Sequence, residues 1–482
     1  MARWFVLWLA LLCTAGLGAC SKPADHGEIR MGLAQAPLNL DPRYASDAAS
    51  ARVNRLIYQP LVDFDDRSRP MPALASWQKL SPRHYRFTLK QPHAVFHDGS
   101  PLVAADVAAT YNSLLALRDS PHTAEFAHIQ AIETINTDTL DFHLDAPDGN
   151  FPARLIIGIM PARLIAQGHD FAHQPVGSGP LRFVSWQGAL ALERLRDRQR
   201  IVLEEVKDPT VRVLKLLRGE IDLLQGDLLP EMVAYLKRQP GIRLLESPGA
   251  NFSYLGFNLQ DPLLAKLEVR RAIAHAIDRK AIIRHALVDA SREAGAILPP
   301  EHWAGNADLP AYRYDPLLAR AMLEQAGVTL PLKLTYKTST DAQRVRLATM
   351  MQAQMRPAGI ALDIRSLDWG TFFDDVKPGK FQLYGLTWVG LKTPEIYRLA
   401  FHSASVPPKG ANRGRFRDNV TDQLIARADW QGVSRRVHEQ LPYVPLWYEG
   451  QFVALREGLT SYRLAPDGNW DGLTTIERRV PN

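Results

Sequence analysis

Two pairs of histidines have a spacing that can bring metal ligands together. His93 and His97 are four residues apart, as are His169 and His173, which would place each pair on one face of a helix. Both pairs lie in stretches broken by proline or glycine, and neither has a third ligand nearby in the sequence. A protein-bound zinc ion needs three or four protein ligands. We therefore predict that the protein holds no metal ion and no other cofactor.

The sequence around Ser178 is the segment most similar to the motif of a catalytic nucleophile. It lies within Gly177–Gly179, which lacks the Gly-x-Ser-x-Gly pattern of a nucleophile elbow. Carboxylate pairs such as Asp65–Asp66 are adjacent along the chain, so their side chains diverge. The sequence also has no glycine-rich phosphate loop before a Lys-Ser/Thr pair. These patterns predict that the protein is not an enzyme, with a hydrolase of the cell envelope as the alternative.

The first twenty residues predict where the protein acts. Arg3 precedes an apolar run that ends in Leu17–Cys20, as expected of a signal peptide at 1–19. The Leu-Gly-Ala-Cys ending resembles the bacterial lipobox, in which the cysteine is lipidated and becomes the first residue. We therefore predict a lipid on Cys20, a tether at 20–27 and attachment to the inner or outer membrane on the periplasmic side. An ordinary cleaved signal is the alternative.

The composition is typical of a globular protein, with 46% apolar and 22% charged residues. A chain of 482 residues is too long for one hydrophobic core, and two to four domains of about 150 residues are expected. After residue 19 the only cysteine is Cys20, so an internal disulfide is not expected. The net charge of +6 comes from scattered basic residues without a basic tail, which argues against nucleic-acid binding.

Hydrophobic periodicity predicts a mixed α/β fold with several lobes. Alternating apolar residues indicate strands, and apolar residues three or four positions apart indicate helices. The strands are expected at 28–34, 85–90, 131–135, 140–144, 181–186, 189–195, 252–259, 331–336 and 360–365. The helices are expected at 103–117, 209–218, 268–285, 316–326 and 341–357. Proline and glycine at 175–180 and 248–249 predict boundaries between lobes.

A series of short motifs resembles one family in its order along the chain. The motifs lie at 40–42, 57–62, 85–89, 96–101, 105–107, 175–180, 219–222, 257–258, 269–279, 314–327 and 442–447. Gly219–Asp222 reads Gly-Glu-Ile-Asp, and Val269–Arg279 is similar to the most recognisable helix of the family. Together they resemble the family 5 extracytoplasmic solute-binding proteins, which serve ABC importers of peptides and nickel.

The resemblance implies a periplasmic binding protein-like class II fold, in which α/β lobes are hinged around a cleft. The implied lobes are lobe I at 28–50, 170–250 and 445–482, lobe II at 51–169, and lobe III at 251–444. A monomeric receptor of this kind encloses a peptide-like solute by closing its lobes and delivers it to an ABC permease and its ATPase. The alternatives are a metal chelate, haem or an opine-like solute on the same scaffold, or an envelope sensor without transport.

The resemblance also implies which side chains line the cleft. Aromatic side chains stack on peptide groups over a large area, although core packing is the alternative for each of them. An arginine can bind a ligand carboxylate through two parallel hydrogen bonds, with a solvated loop as the alternative. The expected ligand-binding residues are Trp388, Trp369, Phe252, Ser253, Tyr254, Gln35, Leu391 and Arg413.

One position departs from the pattern of the peptide-binding family members. They often carry an aspartate that pairs with the ammonium group of the ligand, and Leu391 stands at that position in this chain. An unpaired buried ammonium is costly, and Lys392 would repel it further. Glu395, Asp374 or Asp375 can act as a substitute. Otherwise the solute is blocked, neutral or anionic at that end.

Overall fold

The structure of the protein is a computed structural model that describes residues 27–479. The predicted signal peptide, Cys20 and nearly all of the predicted tether lie outside the described residues. The strands, numbered in chain order, are β1 Ile29–Leu33, β2 Val62–Phe64, β3 Pro70–Pro72, β4 Ala75–Ser81, β5 His84–Leu89, β6 Ile129–Thr134, β7 Thr139–Leu144, β8 Leu181–Gln187, β9 Ala189–Arg194, β10 Arg200–Glu205, β11 Leu223–Gln225, β12 Ile242–Phe257, β13 Arg292–Glu293, β14 Leu332–Ser339, β15 Ile360–Leu367, β16 Leu383–Trp388, β17 Tyr443–Arg456, β18 Leu459–Thr460 and β19 Glu477–Arg478.

The helices alternate with these strands along much of the chain. They are α1 Ala48–Ile57, α2 Ala104–Ala116, α3 Thr123–Phe126, α4 Ala162–Ala166, α5 Pro209–Arg218, α6 Pro230–Leu236, α7 Leu267–His275, α8 Arg279–Ala286, α9 Pro316–Gln325, α10 Ala342–Met355, α11 Trp369–Val376, α12 Glu395–Phe401, α13 Asn419–Ala426 and α14 Trp430–Gln440. Short 3₁₀ turns occur at Phe151–Arg154, Arg356–Ala358 and Asp471–Thr474. Within residues 27–479, none of the helices is long and apolar enough to cross a membrane.

Aspartates begin many of the helices. Each accepts a hydrogen bond from a backbone N–H of the first turn, where the helix has no partner of its own for that donor. The capping residues are Asp47, Asp208, Asp278, Asp315, Asp341, Asp368, Asp418 and Asp429. Local sequence thus defines where these helices start.

A sheet of eleven strands forms the centre of the described chain. Its order is β15-β14-β16-β12-β17-β11-β1-β10-β9-β8, and β13 pairs with β17 at one side. One end contains the parallel strands β11, β1 and β10, and the other end contains the parallel strands β16, β14 and β15. The long antiparallel strands β12 and β17 lie between the two groups and belong to both.

A smaller antiparallel sheet lies apart from the large one, with the order β4-β5-β7-β6. Its apolar face packs with α2 into a core that includes Phe87, Tyr111, Phe142 and Phe151. Separate buried clusters lie at the two ends of the large sheet; Ile29 and Leu203 belong to one, and Ile273 and Leu334 to the other. These cores confirm the expected mixed α/β class.

Two predicted elements have different bounds in the structure. The expected boundary at 248–249 lies inside β12, because pairing with β17 continues past it with a register shift between Ser247 and Asn251. The helix expected at 268–285 is two helices, α7 and α8, because the chain leaves the helical conformation and Asp278 caps a new start.

Candidate functional site

The main cleft lies where strands of both parallel groups end. It has a volume of about 570 Å³, and its walls come from residues 225–230 at the end of β11, from Thr338 at the end of β14, and from Asp341 and Arg344 after that strand. Ligands of open α/β sheets bind outside the carboxyl ends of the strands, so this is the expected place for a ligand. Ser253 of β12 and Glu449 of β17 form part of its floor.

Three adjacent strands bring polar groups together on this floor. Glu449 Oε1 accepts hydrogen bonds from the hydroxyls of Ser253 at 2.6 Å and Thr387 at 3.0 Å. The two hydroxyl oxygens are 2.7 Å apart. Nη2 of Arg344, from α10, lies 3.5 Å from the Thr387 hydroxyl. A carboxylate and a guanidinium group are therefore held close to one hydroxyl in a cleft of ligand size.

A second cavity, of about 350 Å³, lies beside the main cleft, and Arg52 lines both. Its lining is mainly apolar and includes Tyr58, Ile157 and Val389. Arg52 belongs to α1, and its guanidinium lies 5.4 Å from the ring centroid of Trp470. A polar cleft and a mainly apolar cavity thus meet at Arg52.

Several polar contacts join segments that are far apart along the chain. Lys392 forms an ion pair with Asp467, and Arg346 forms one with Glu231. The other contacts are Lys237 to Asp289 at 2.9 Å, Asn150 Nδ2 to Glu395 at 2.7 Å, and the backbone N–H of Trp303 to the Arg67 carbonyl at 2.9 Å. Among these residues, Lys392 and Asp467 line the second cavity.

Asp467 is the most buried carboxylate among these contacts. Burial acts to raise its pKa, but the charge and hydrogen bond of Lys392 and the N–H of Asn469 have a larger combined effect. The pKa of Asp467 is therefore lowered below its ordinary value. The ion pair with Lys392 consequently persists over the neutral pH range.

Trp388, Tyr254 and Arg413 lie together at the end of β16. The Arg413 guanidinium is 4.8 Å from the Trp388 ring centroid, and its Nη1 donates to the Tyr254 hydroxyl at 3.3 Å. The rings of Tyr254 and Trp388 are stacked, 6.4 Å apart. All three line a small cavity of about 20 Å³, and Tyr254 also lines the main cleft. Stacking on Trp388 and a hydroxyl contact thus hold the Arg413 guanidinium.

The other residues predicted from the sequence are dispersed. Phe252 is 0% exposed in the core, whereas Ser253 lines the main cleft. Trp369 is 55% exposed and stacks on Phe373 at the start of α11. Gln35 is exposed beyond the end of β1, and Leu391 packs against the apolar cluster that contains Phe252. Phe252 consequently has no surface to offer a ligand in this structure.

The three acidic residues suggested as substitutes at the Leu391 position already have partners. Asp374 pairs with Lys377 at 3.1 Å, and Asp375 pairs with Lys337 at 2.7 Å. Glu395 accepts from Asn150 and lies 3.4 Å from Arg398. None of these three carboxylates is among the residues that line the main cleft.

Sequence reasoning missed Thr387 and Glu449 on the floor and Arg344 of α10 in the wall. Thr387 and Glu449 are far apart along the chain, and the pairing of β16 and β17 with β12 brings them together. A local signal exists, because Glu449 and Gln451 interrupt an otherwise apolar strand. Polar residues inside a buried strand usually indicate a specific interaction or a site.

The histidine pairs singled out by their spacing have separate hydrogen bonds. His93 contacts Asp138 at 2.7 Å, and His97 contacts the Gly179 carbonyl at 2.9 Å. Burial lowers the pKa of His97. His169 contacts the Gln174 carbonyl, and His173 contacts Asp170.

Among residues 27–479, the side chains whose ligand atoms are close enough to hold a metal ion are His84, Asp141 and His143, which sequence reasoning missed. His84 and His143 are opposite one another on β5 and β7, and their ligand atoms lie near those of Asp141. Arg86 donates to both carboxylate oxygens of Asp141 at 2.8 Å, so that carboxylate is already engaged. The arrangement is a hydrogen-bonded network on the face of the smaller sheet.

The environment of Ser178 does not support nucleophilic chemistry. The residue is buried, and its hydroxyl has no hydrogen-bond partner among the described residues. An activated serine needs a base within hydrogen-bond reach.

Comparisons with known proteins agree on one family. Residues 69–405 match the model of "Bacterial extracellular solute-binding proteins, family 5 Middle". The chain is 27% identical to di/tripeptide-binding protein 2 of Pseudomonas aeruginosa over 525 residues, which cover 96% of each chain. It is 26% identical to a putative ABC transporter peptide-binding protein of Brucella ovis over 93% of this chain and 92% of that one.

A solved structure gives the same result for the fold. The ABC transporter substrate-binding protein CtaP of Listeria monocytogenes superposes with a TM-score of 0.83 at 22% identity, covering 94% of this chain and 99% of that chain. The family match extends over more than half of the sequence, and the resemblance expected from the short motifs is confirmed. The chain belongs to the bacterial extracellular solute-binding proteins of family 5, with their periplasmic binding protein-like fold.

Proposed function

We propose that this protein is the receptor of an ABC importer, that it captures a peptide-like solute between its lobes, and that it delivers the solute to the permease. The observation that carries the proposal is the main cleft at the strand ends of both parallel groups, with polar groups on its floor. The two curated relatives named above are both described as peptide-binding. In this reading the protein has no catalytic activity of its own.

The lobes of this receptor are lobe I at 28–50, 170–250 and 445–482, lobe II at 51–169 and lobe III at 251–444. The separate buried clusters support three lobes, and the cluster of lobe I also contains Val53, Ile57, Tyr58, Met160 and Leu164 from the two ends of predicted lobe II. The strands β12 and β17 then serve as the hinge, because they are the long strands that belong to both ends of the large sheet. A change of twist in two paired strands can rotate one end of the sheet against the other.

Closure of the lobes is the step that reports the presence of a solute. A ligand favours the closed form only to the extent that it binds that form better than the open form. The contacts of Lys392 with Asp467 and of Lys237 with Asp289 join predicted lobes III and I. They add to the stability of the closed form, and the permease recognises the surfaces that closure brings together.

The location proposed for the receptor is the periplasmic side of the cell envelope. A lipid on Cys20 anchors it, and the residues up to 27 act as a tether for a monomeric chain. The ligand contacts predicted from the sequence remain Trp388, Trp369, Phe252, Ser253, Tyr254, Gln35, Leu391 and Arg413, and Phe252 would need a rearrangement to reach a ligand, because it is fully buried. Ser253 and Tyr254 are the members of this set that line the main cleft.

Native mass spectrometry can test the proposed solute. The protein is secreted by a bacterial host, purified, and weighed before and after denaturation. We expect a mass excess that is lost on denaturation and that fragments as short peptides. A retained metal chelate, haem or opine-like compound would instead favour the alternative solutes. Hydrolysis of esters or peptides by the purified protein would contradict the receptor function.

A further inference from the structure

We infer that Glu449 is the partner of a primary ammonium group on the solute, so that the receptor selects solutes with a free amine. The inference depends on the proposed capture of a peptide-like solute. The carboxylate that neutralises the ammonium group of the solute would then lie on strand β17 of the proposed hinge, far in sequence from Leu391.

The hydrogen bonds of Glu449 leave one side of its carboxylate available. Both hydroxyl contacts, from Ser253 and Thr387, are made to Oε1. Within residues 27–479, Oε2 has no hydrogen-bond partner, and it is not among the buried polar atoms. Glu449 lines the main cleft, so Oε2 is accessible to a molecule bound there. A carboxylate oxygen in this setting accepts well from an N–H donor of a cation.

The charged residues that line the main cleft are Glu449, Asp227, Asp341, Arg52 and Arg344. Glu449 forms no ion pair with a lysine, arginine or histidine in the described part of the chain, although it is only half exposed. Of the other acidic residues lining this cleft, Asp341 caps α10 and Asp227 is exposed. An ammonium group stabilises a partly buried carboxylate more than it stabilises an exposed carboxylate, because water screens the charges less at a partly buried site.

Arg344 can bind an oxygen atom of the solute next to the ammonium group. It shares the Thr387 hydroxyl with Glu449, and it forms no ion pair in residues 27–479. A guanidinium group binds carbonyl and carboxylate oxygens. An α-amino acyl group carries an ammonium nitrogen and a carbonyl oxygen that are three bonds apart, through Cα and the carbonyl carbon. The amino end of a peptide therefore fits Glu449 and Arg344 together.

The inference also accounts for Leu391. That residue packs against the apolar cluster and has no group that can neutralise an amine. Lys392 beside it is paired with Asp467 at the second cavity. With a carboxylate supplied by Glu449, an acidic residue at position 391 is not needed.

Peptide capture with blocked and unblocked amines tests this assignment. A tryptic digest of casein is divided, and one half is N-acetylated. Each half is incubated with the refolded, ligand-free full-length protein, and captured peptides are identified by mass spectrometry after denaturation. The variants are Glu449→Gln, which keeps the side-chain shape, and Glu457→Gln, which removes an exposed carboxylate from the turn after the same strand.

We expect the wild-type protein and Glu457→Gln to capture free-amine peptides at least tenfold better than acetylated ones. Glu449→Gln should lose most of that preference while its melting temperature remains close to that of the wild type. Equal capture of both halves by the wild type, or an unchanged preference in Glu449→Gln, would overturn the assignment but leave peptide capture intact. No capture of either half by a folded wild type would overturn the proposed function and the assignment with it.

Should Glu449→Gln fail to fold, Glu449→Asp gives a second measurement. This variant keeps the negative charge but shortens the side chain by one methylene, which withdraws the carboxylate from the cleft. We expect a folded Glu449→Asp to lose several-fold of the preference for free-amine peptides. An unchanged preference in that variant would overturn the role of Glu449.

Discussion

The ammonium group of Lys392 contacts the carboxylate of Asp467, and both residues line the second, mainly apolar cavity. Lys392 follows β16 in predicted lobe III, whereas Asp467 lies in the C-terminal segment of predicted lobe I. The backbone carbonyl of Lys392 also accepts a hydrogen bond from Nε2 of His302 at 3.1 Å, which holds the loop in place. This ion pair thus joins two predicted lobes, which would separate when the receptor opens.

Removing this ion pair should favour the open form. In Asp467→Asn the Lys392 ammonium loses its charged partner, so the closed form loses stability relative to the open form. We expect the apparent affinity for a captured peptide to fall by about three- to tenfold, because affinity decreases with the population of the closed form. Isothermal titration calorimetry measures this change. An affinity equal to that of the wild type would mean that the ion pair does not contribute to closure.

Trp388→Ala should weaken ligand binding. The ring supports Arg413 and stacks on Tyr254, which lines the main cleft. Removal of a large aromatic contact typically costs more than about 1 kcal/mol of binding free energy. Circular dichroism should show a folded protein, since Trp388 is only partly buried. Unchanged affinity in the folded variant would remove Trp388 from the site.

Gly249→Ala should disturb the proposed hinge. A Cβ atom at position 249 would lie 1.8 Å from the Glu449 carbonyl oxygen, so the paired strands must move apart. We expect a loss of roughly 1–3 kcal/mol in the free energy of unfolding, as for other overpacked sites. Gly370→Ala is the matched control, since its new Cβ meets only Asp368 Oδ1 at 3.4 Å. Equal stability of the two variants in urea unfolding would show that β12 tolerates the added atom.

The Asp418–Arg436 pair predicts a pH-dependent part of the stability. Hydrogen bonds from Arg436 lower the pKa of Asp418 to about 2, although burial opposes the shift. A lowered pKa in the folded state stabilises the fold above the ordinary aspartate pKa, and this stability is lost as the pH falls toward 2. Asp418→Asn should therefore melt at a lower temperature than the wild type at pH 7, with a difference that shrinks toward pH 2.

The Asp418→Asn change separates charge from helix capping. Asparagine caps a helix about as well as aspartate, so α13 keeps its start. Differential scanning calorimetry at several pH values gives the comparison. A difference in melting temperature that stays constant down to pH 2 would contradict an ionic origin.

The sequence predicted those helices and turns that are specified by residues close together along the chain. Asp315, Pro316 and Gly327 bracket α9 in the sequence, and the structure has that helix at Pro316–Gln325. The Asn136–Asp138 turn joins β6 and β7, as its turn residues indicate. Capping residues, turn residues and the alternation of apolar and polar residues act over a few positions. A short segment of sequence is therefore enough to predict the helix ends, turns and strands that they specify.

Long-range pairing explains what the sequence did not predict. Pro248 and Gly249 are strand breakers by local preference, but β17 pairs with β12 on both sides of them. The floor of the cleft requires Ser253, Thr387 and Glu449 to meet across three strands, and their register is a tertiary property. The His84–His143 pair was likewise invisible, because only the β5–β7 register places the two rings 4.3 Å apart.

Small-angle X-ray scattering of the purified protein, with and without short free-amine peptides, tests the capture of a solute by closing lobes most directly. The account predicts a smaller radius of gyration with peptide, together with a higher melting temperature, because the solute binds the closed form preferentially. An identical radius and an identical melting temperature at saturating concentrations of peptides, metal chelates, haem and opines would contradict it.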